Sequence, residues 1–200
     1  MLLPLHDGTT VLLRRIVPED GPLLRRAHRM LSEETVRNRF LSAKPALTSR
    51  DVRYLTDVDF VDHVAVVAVD PQRPEAILGV ARWIRDPADR SQAEAAFVVA
   101  DALQGQGLGS ALAIALADLA VERGIDALRG SMLAGNRGSE ALFRTIGAGE
   151  LTVARMGITN EVVAPLPAHD DRLERLASRR RLAARRRGHA GGRPAVRRAA

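Results

Sequence analysis

The sequence contains no cysteine, and this absence excludes three kinds of chemistry. The chain can form no disulfide framework and no cysteine-ligated zinc site, and it has no thiol to carry a covalent intermediate. It also lacks a long hydrophobic run, because the longest apolar helical stretch, Leu108 to Val121, is too short to span a bilayer and contains Asp118. The amino end lacks the basic start and apolar stretch of a signal peptide. We therefore expect a cytoplasmic protein with no membrane partner.

Positive charge is concentrated at one end of the chain. Residues 171–200 hold eleven arginines against only Asp171 and Glu174. We expect residues 1–165 to form one globular domain and residues 166–200 to form a basic Arg-rich tail, partly helical or disordered. No aromatic residue accompanies these arginines for base stacking. The tail can still contact nucleic acid by counterion release, hold an acidic protein, or stay solvated, and any nucleic acid contact would be made through this segment alone.

Hydrophobic periodicity predicts two different arrangements of helices and strands along the chain. The first part begins with a strand over Thr9–Val17, continues with three short helices, and ends in an antiparallel meander with Pro-containing turns. From Leu108 onward helices alternate with strands, which indicates a partly parallel region. The predicted meander strands and later elements are strands His63–Asp70, Glu75–Asp86 and Gln92–Ala100, helix Leu108–Arg123, strand Asp126–Leu133, helix Ser139–Ile146 and strand Gly149–Ile158.

Alternating glycines at 105, 107 and 109 open the first of these later helices. Such a loop exposes backbone N–H groups at the positive end of a helix and is typical of a phosphate site. A Walker loop is excluded because no lysine lies near. The dinucleotide fingerprint fails because Ser110 or Leu112 stands where it needs a third glycine or an alanine. A Cβ on Gly107 or Gly109 would push a phosphate away from the N–H groups. We expect a substitution at Gly107, in a surface turn, to weaken binding without unfolding the chain.

The loop "QGQGLG", Gln104–Gly109, matches the Gln/Arg-x-x-Gly-x-Gly/Ala pyrophosphate loop of the GNAT superfamily of N-acetyltransferases. The sequence resembles that family over roughly residues 5 to 160, and it resembles more narrowly the GNAT domain of bacterial protein lysine acetyltransferases. The resemblance implies a mixed α/β (α+β) fold: a central, mostly antiparallel sheet with a splayed pair of parallel strands at the CoA site, flanked by helices. It also implies acetyl-CoA as co-substrate and no metal.

The resemblance further implies which residues hold CoA. The amides of Gln106–Ser110 would bind the pyrophosphate, and Phe97–Val99 would pair with the pantetheine arm like an added strand. Asn136 would hydrogen-bond the pantetheine or its bound water, with Phe143 packed nearby. The full expected set is Phe97, Val98, Val99, Gln104, Gly105, Gln106, Gly107, Leu108, Gly109, Ser110, Asn136, Ser139 and Phe143.

Glu94 is the candidate general base. Transfer to an amine requires a deprotonated nitrogen, and a carboxylate acting directly or through water can take that proton. Alternation along the predicted strand puts Glu94, Ala96 and Val98 on one face, where an acid among alanines is costly to bury without purpose. The matching glutamate is the general base in the lysine acetyltransferases that this sequence resembles. The competing interpretation is a solvated carboxylate or a salt bridge with Arg82 or Arg85.

The other catalytic and substrate-contacting groups are predicted less directly. A backbone N–H of Val98 or Val99 would stabilise the charge on the thioester oxygen. Many GNAT enzymes have a tyrosine as general acid where this sequence has Phe143, so the thiolate leaves unassisted or with help from water or Ser139.

Six acidic or basic groups lie outside this constellation. Glu33 and Glu34 open a helix on the substrate side, where they would read an incoming lysine or simply favour the helix dipole. The cluster of Asp57, Asp59 and Asp62 forms a solvated turn or an acidic rim for a cationic acceptor. His63 is expected to be structural, and no spacing of His or Asp indicates a metal.

The sequence therefore favours an acetyl-CoA-dependent N-acetyltransferase that transfers directly to an amine, with the side chain of a protein lysine as the first candidate acceptor. The alternatives are acetylation of a small amine, such as an amino acid, polyamine or aminoglycoside, and a non-catalytic acyl-CoA-binding sensor. Relatives of this kind can carry a nucleotide-binding regulatory domain, for which this chain has no room. We therefore expect activity without a cyclic-nucleotide switch.

Overall fold

The computed structural model describes residues 1–168. These residues form an eight-stranded sheet, five α-helices and two single-turn 3₁₀ segments. In chain order the strands and α-helices are β1 Leu2–Pro4, β2 Thr10–Arg15, α1 Gly21–Arg29, α2 Glu33–Phe40, α3 Ser49–Thr56, β3 His63–Asp70, β4 Arg73–Arg85, β5 Gln92–Val99, α4 Leu108–Val121, β6 Ala127–Leu133, α5 Arg137–Ile146, β7 Thr152–Met156 and β8 Thr159–Pro165.

The strands lie in the order β1-β2-β3-β4-β5-β6-β8-β7. Every neighbouring pair is antiparallel except β5 and β6, which run parallel. The crossover from β5 to β6 is made by α4, as a parallel pair requires. The predicted fold class, a mostly antiparallel sheet with one parallel pair and flanking helices, is confirmed.

The two faces of the sheet are covered by different helices. Strand β3 is a nearly continuous apolar run that is buried along its length, because helices cover the sheet on both sides. On one face α4 buries Leu108, Leu112 and Leu116 completely against a cluster that includes Trp83. On the other face α1 and α3 pack against a second hydrophobic cluster, to which β3 and β4 contribute Ala65, Val67, Val69, Ile77 and Val80. Each fully buried leucine contributes roughly 1.5–3 kcal/mol relative to an exposed one.

The structure departs from the predicted elements at both ends of the sheet. The three-residue strand β1 was not predicted, since a short edge strand that ends in Pro4 leaves little alternation to detect. Strand β7 lies within the predicted strand Gly149–Ile158, but the prediction missed β8, because the chain turns at Gly157 and returns beside β6. Gly157 has a φ of +67°, a left-handed conformation that favours glycine and closes the hairpin.

Residues Met1–Leu166 group into one compact unit by their contacts. The proposed domain boundary near residue 165 stays a prediction, and the basic tail predicted beyond it lies almost entirely outside the described residues, which end at residue 168. Among those described residues no helix has the length and apolar character needed to cross a membrane.

Candidate active site

A cleft opens where the two parallel strands separate. Strands β5 and β6 pair over only three positions, from Gln92 opposite Ala127 to Glu94 opposite Arg129. Beyond them the ring of Phe143 from α5 lies against β6 at Gly130, where an added Cβ would be 2.4 Å from the ring's Cζ atom. Sequence reasoning missed Gly130, because its partner in α5 is thirteen positions away in the chain and no local turn requires a glycine there.

The cleft has a volume of about 230 Å³ and is built from four elements. Strand β5 supplies one wall, β6 and α5 supply the opposite wall, and the carboxyl end of α2 covers one side. Its lining residues are Asn38, Arg39, Phe40, Leu41, Glu94, Ala95, Ala96, Phe97, Ser131, Ser139 and Phe143. The structure thus brings four sequence-predicted residues together: Glu94, Phe97, Ser139 and Phe143.

Glu94 faces this cleft. The predicted alternation is confirmed, since Ala93 and Ala95 are buried on the α4 side while Glu94 is opposite Ile84 on the other face. The expectation of a costly burial is wrong, because the side chain is exposed to the open cleft. Glu94 makes no hydrogen bond or ion pair with the described residues. Glu94 also forms no salt bridge with Arg82 or Arg85 among the described residues. Arg82 donates instead to the carbonyl of Leu55, and Arg85 donates to the carboxylate of Asp62.

Arg39 of α2 interacts electrostatically with Glu94 across the cleft. Burial lowers the pKa of the half-buried Arg39 guanidinium, and the charges of Glu94 and Tyr54 partly oppose that shift. The guanidinium lies over the ring of Phe40, 5.0 Å from its centroid. Arg39 was not singled out by the sequence, because arginine is so common in this chain that no single one stands out.

The strand wall offers backbone donors to a ligand in the cleft. The N–H of Ala100 donates to the carbonyl of Leu78 in β4, and backbone groups alternate in direction along a strand. The N–H of Val98 therefore faces β4, whereas those of Phe97 and Val99 face the open side. Of the two amides predicted to stabilise a thioester oxygen, the geometry favours Val99.

The predicted pyrophosphate loop lies at the amino end of α4. Gly107 is the N-cap with a φ of +89°, and Gly105 has a φ of +76°. No side chain caps the first turn, so the N–H groups of Leu108, Gly109 and Ser110 are open to an anion. The side chain of Gln104 donates to the carbonyl of Val99 at 3.2 Å and to the hydroxyl of Thr35 at 3.1 Å, which fixes the loop to β5 and α2.

The glycines of this loop have packing reasons that the sequence did not indicate. A Cβ on Gly107 would be 2.9 Å from Nε2 of His6, and the backbone N–H of His6 donates to the carbonyl of Gln106 at 3.1 Å. A Cβ on Gly109 would be 3.2 Å from Leu142 of α5. The expectation that the fold survives a substitution at Gly107 stays a prediction, but the contact with His6 gives that substitution a structural cost.

Asn136 is the N-cap of α5. Its Oδ1 atom accepts a hydrogen bond from the N–H of Ser139 at 3.0 Å, which leaves the amide nitrogen of Asn136 without a partner among the described residues. That nitrogen can donate to a ligand. Phe143, 3% exposed, packs edge-on against Phe97 with the ring centroids 5.7 Å apart. The cleft wall at this point is therefore apolar and has no proton to give, and Ser139 is the nearest hydroxyl of the predicted set.

Two predicted groups lie away from the cleft. Glu33 and Glu34 are exposed in the first turn of α2, whereas the last turn of that helix lines the cleft. Eight residues of helix separate its ends by about 10 Å at 1.5 Å per residue, so the structure does not bring these acids together with Glu94.

The predicted acidic rim is largely occupied by internal contacts. The carboxylate of Asp59 accepts the N–H groups of Val61, Asp62 and His63, and Asp62 pairs with Arg85 and Arg90. His63 accepts a hydrogen bond from the buried Arg82. Burial, followed by the charge of Arg82, lowers the pKa of His63 to about 4, in keeping with a structural histidine. In the described part of the chain no group of three His, Asp or Glu side chains could hold a metal ion.

Comparisons with known proteins agree with this architecture. The family model of the acetyltransferase (GNAT) domain matches residues 10–149. Acetyltransferase Pat of Mycolicibacterium smegmatis is 30% identical over 143 residues, which cover 72% of this chain and 42% of that protein. An acetyltransferase of Pseudomonas aeruginosa is 32% identical over 148 residues, which cover 72% of this chain and 77% of that protein.

A solved structure extends the similarity to three dimensions. The GNAT domain of PAT from S. lividans is 30% identical and superposes with a TM-score of 0.74, covering 83% of this chain and 96% of that one. The chain spans less than half the length of the M. smegmatis relative, 42%, so the similarity to that protein concerns one part of it. Since the family model matches well over half of the 200 residues, the chain belongs to the GNAT family of acetyltransferases.

Proposed function

We propose that this chain transfers the acetyl group of acetyl-CoA directly to the side-chain amine of protein lysines. The observation that carries the proposal is the exposed Glu94 carboxylate in the cleft between β5 and β6. An exposed base in an open cleft can be reached by a long side chain that projects from the surface of another protein. The resemblance of the sequence to bacterial protein lysine acetyltransferases supports the same acceptor class.

In the proposed reaction Glu94 accepts a proton from the lysine ammonium, directly or through one water molecule. The neutral amine then forms a C–N bond to the thioester carbon, and the N–H of Val99 donates to the oxygen on which negative charge develops. The C–S bond breaks as the carbonyl re-forms, the CoA thiolate leaves, and the remaining extra proton of the attached nitrogen passes to solvent or through water to the thiolate. A thiol pKa near 8.5 makes that departure feasible without a dedicated acid, so Phe143 in place of a donor is tolerated.

The amino end of α4 would hold the pyrophosphate. The amides of Gly107–Ser110 point their dipoles toward an anion, and Gln104 keeps the loop against β5. Phe97 and Val99 would pair with the pantetheine arm through the backbone groups that β6 leaves unpaired, and Asn136 would donate its free amide N–H. These roles describe the acetyl-CoA side of the site, and Glu94 lies between it and the acceptor.

The experiment that tests this function uses acetyl-CoA labelled in the acetyl group. Transfer is measured to a lysine-containing protein, to the same protein with its lysines dimethylated, and to a panel of amino acids, polyamines and aminoglycosides. We expect label on the unmodified protein only, with mass spectrometry locating it on lysine side chains. Label on small amines alone would replace the acceptor class, and binding of acetyl-CoA without any transfer would favour the sensor.

A further inference from the structure

A second cavity adjoins the cleft on the other side of Arg39. It lies between α1 and α2 and the face of β4 and β5, and its volume is about 400 Å³. Small-molecule sites in proteins typically have volumes of about 300–1,000 Å³. Arg39, Phe40 and Ala96 line both the cavity and the cleft. Ala96 follows Glu94 by two residues, about 7 Å along a strand, so the cavity begins beside the candidate base.

The walls of this cavity are mostly aliphatic. Side chains from α1, from Leu47 and α3, and from both strands contribute aliphatic groups. The polar side chains that also line the cavity are Arg26, His28, Arg39, Arg73, Glu75 and Arg82. The principal aliphatic residues are Leu24, Leu47, Leu55, Ile77, Val80 and Val98. A ligand that fills this space must therefore have a largely hydrocarbon body.

Two guanidinium groups lie at the end of the cavity nearest Glu94. Arg82 is 4% exposed and donates to Nε2 of His63 at 3.0 Å and to the carbonyl of Leu55 at 2.9 Å, both of which are uncharged partners. Arg39 makes no hydrogen bond or ion pair with the described residues. Burial lowers the pKa of Arg82 to about 9, and the charge of Arg39 adds to that shift. These two cations therefore lie close together without a hydrogen-bonded counterion.

The carboxylates around the cavity do not supply that counterion. Asp101 accepts hydrogen bonds from Ser32 and Thr35, and Glu75 is exposed at the outer end of the cavity. Glu94 acts on Arg39 only through space. A buried guanidinium whose hydrogen-bond partners are all uncharged is costly, and an anionic ligand would lower that cost.

We propose that this cavity binds a small carboxylic acid with an aliphatic body, the carboxylate hydrogen-bonded by Arg39 and Arg82. Arginine pairs with carboxylates through a planar fork of donors, and the apolar walls fit the hydrocarbon. The carboxylate is either that of a free acid or the far end of an acyl group carried by CoA, since the cavity adjoins the cleft. The proposal goes beyond the acetyl transfer proposed above and does not depend on the lysine acceptor.

Calorimetry on the full chain tests the binding directly, with no acyl transfer involved. We expect octanoate to bind with one site per chain, and octanol, which has the same chain and no charge, to bind at least tenfold more weakly. Arg39→Met should raise the octanoate dissociation constant at least tenfold. Arg37→Met is the matched control, since Arg37 is exposed on the same helix and does not line the cavity, and it should bind as wild type.

A second variant removes the space and leaves the charges. Ala27 lines the cavity from α1, and Ala27→Phe should abolish octanoate binding while circular dichroism shows the fold unchanged. Equal affinities for octanoate and octanol, no binding of either, or octanoate binding that is unaffected in Arg39→Met would each overturn the proposal.

Competition identifies the source of the carboxylate. If the ligand is a free acid, octanoate should bind equally well to protein saturated with CoA. If it is part of the donor, the CoA thioester of an eight-carbon dicarboxylic acid should displace octanoate, and neither acetyl-CoA nor octanoyl-CoA should do so. Either result supports binding of an aliphatic carboxylate in the cavity. Neither result depends on whether the chain acetylates lysine, so a failure of the proposed function would be seen separately.

Discussion

Replacing Gly107 by alanine should weaken CoA binding, and the structure separates the causes of that loss. Gly107 has a φ of +89°, where a side chain costs roughly 1–2 kcal/mol, and the new Cβ would be 2.9 Å from the ring of His6. A phosphate held by the neighbouring N–H groups loses about 1.5–3 kcal/mol for each charge-assisted hydrogen bond that is displaced. The loss of one such bond predicts roughly a tenfold to hundredfold higher dissociation constant for CoA.

Gly105→Ala is the matched control for this prediction. Gly105 also has a positive φ, +76°, but its Cβ would meet nothing within 4 Å. Both variants should lose folding stability through the positive φ, with a further loss in Gly107→Ala from the contact with His6. Calorimetry should show the larger loss of CoA affinity in Gly107→Ala. Adding His6→Ala to Gly107→Ala should recover only that part of the lost CoA affinity that is caused by the contact with the His6 ring. If Gly107→Ala binds CoA as tightly as Gly105→Ala does, the assignment of the pyrophosphate to this loop is refuted.

Three further predictions follow from contacts that hold the site together. Asp20→Asn should lower the free energy of unfolding, measured by urea denaturation, by roughly 3 kcal/mol. The reason is that Asp20, 2% exposed, accepts hydrogen bonds from both terminal guanidinium nitrogens of Arg14 at 2.7 Å. A loss below about 1 kcal/mol, as for an exposed ion pair, would contradict this. Gly130→Ala should overlap the ring of Phe143 and cost about 1–3 kcal/mol, seen as a lower Tm that the additional change Phe143→Leu restores. Because the folded pKa of His63 is lowered to about 4, its neutral form stabilises the fold above the unfolded pKa near 6.5. That stability should be lost as the pH falls from 6.5 toward 4, and urea midpoints of His63→Gln should show a smaller loss over this range than wild type.

The parts of the site that could be predicted from the sequence are those determined by neighbours in the chain. The loop of Gln104–Gly109, the helix that follows it and the face of β5 that carries Glu94 all depend on spacings of a few residues. The N-cap role of Asn136 is equally local, although the sequence indicated it only as a ligand contact.

The contacts that escaped prediction join distant segments. His6 meets Gly107 from one hundred residues away, and the cations of Arg39 and Arg82 come from a helix and a strand. Such contacts leave no local pattern in the sequence, since they arise from how the covering helices pack on the sheet. The same reason explains β8, which is recognisable only as the partner of β6.

The rate of acetyl transfer by Glu94→Gln across pH tests the central claim most directly. Glutamine keeps the shape of Glu94 but cannot accept a proton, so acetyl-CoA should bind as before while the rate near neutral pH falls by roughly 10²–10⁴. The deficit should shrink as the pH approaches the lysine pKa of about 10.4, where solvent supplies the free amine. Glu33→Gln and Glu34→Gln, exposed changes of the same chemistry, should leave the profile unchanged. A Glu94→Gln protein that acetylates lysine at the wild-type rate at every pH would contradict the account.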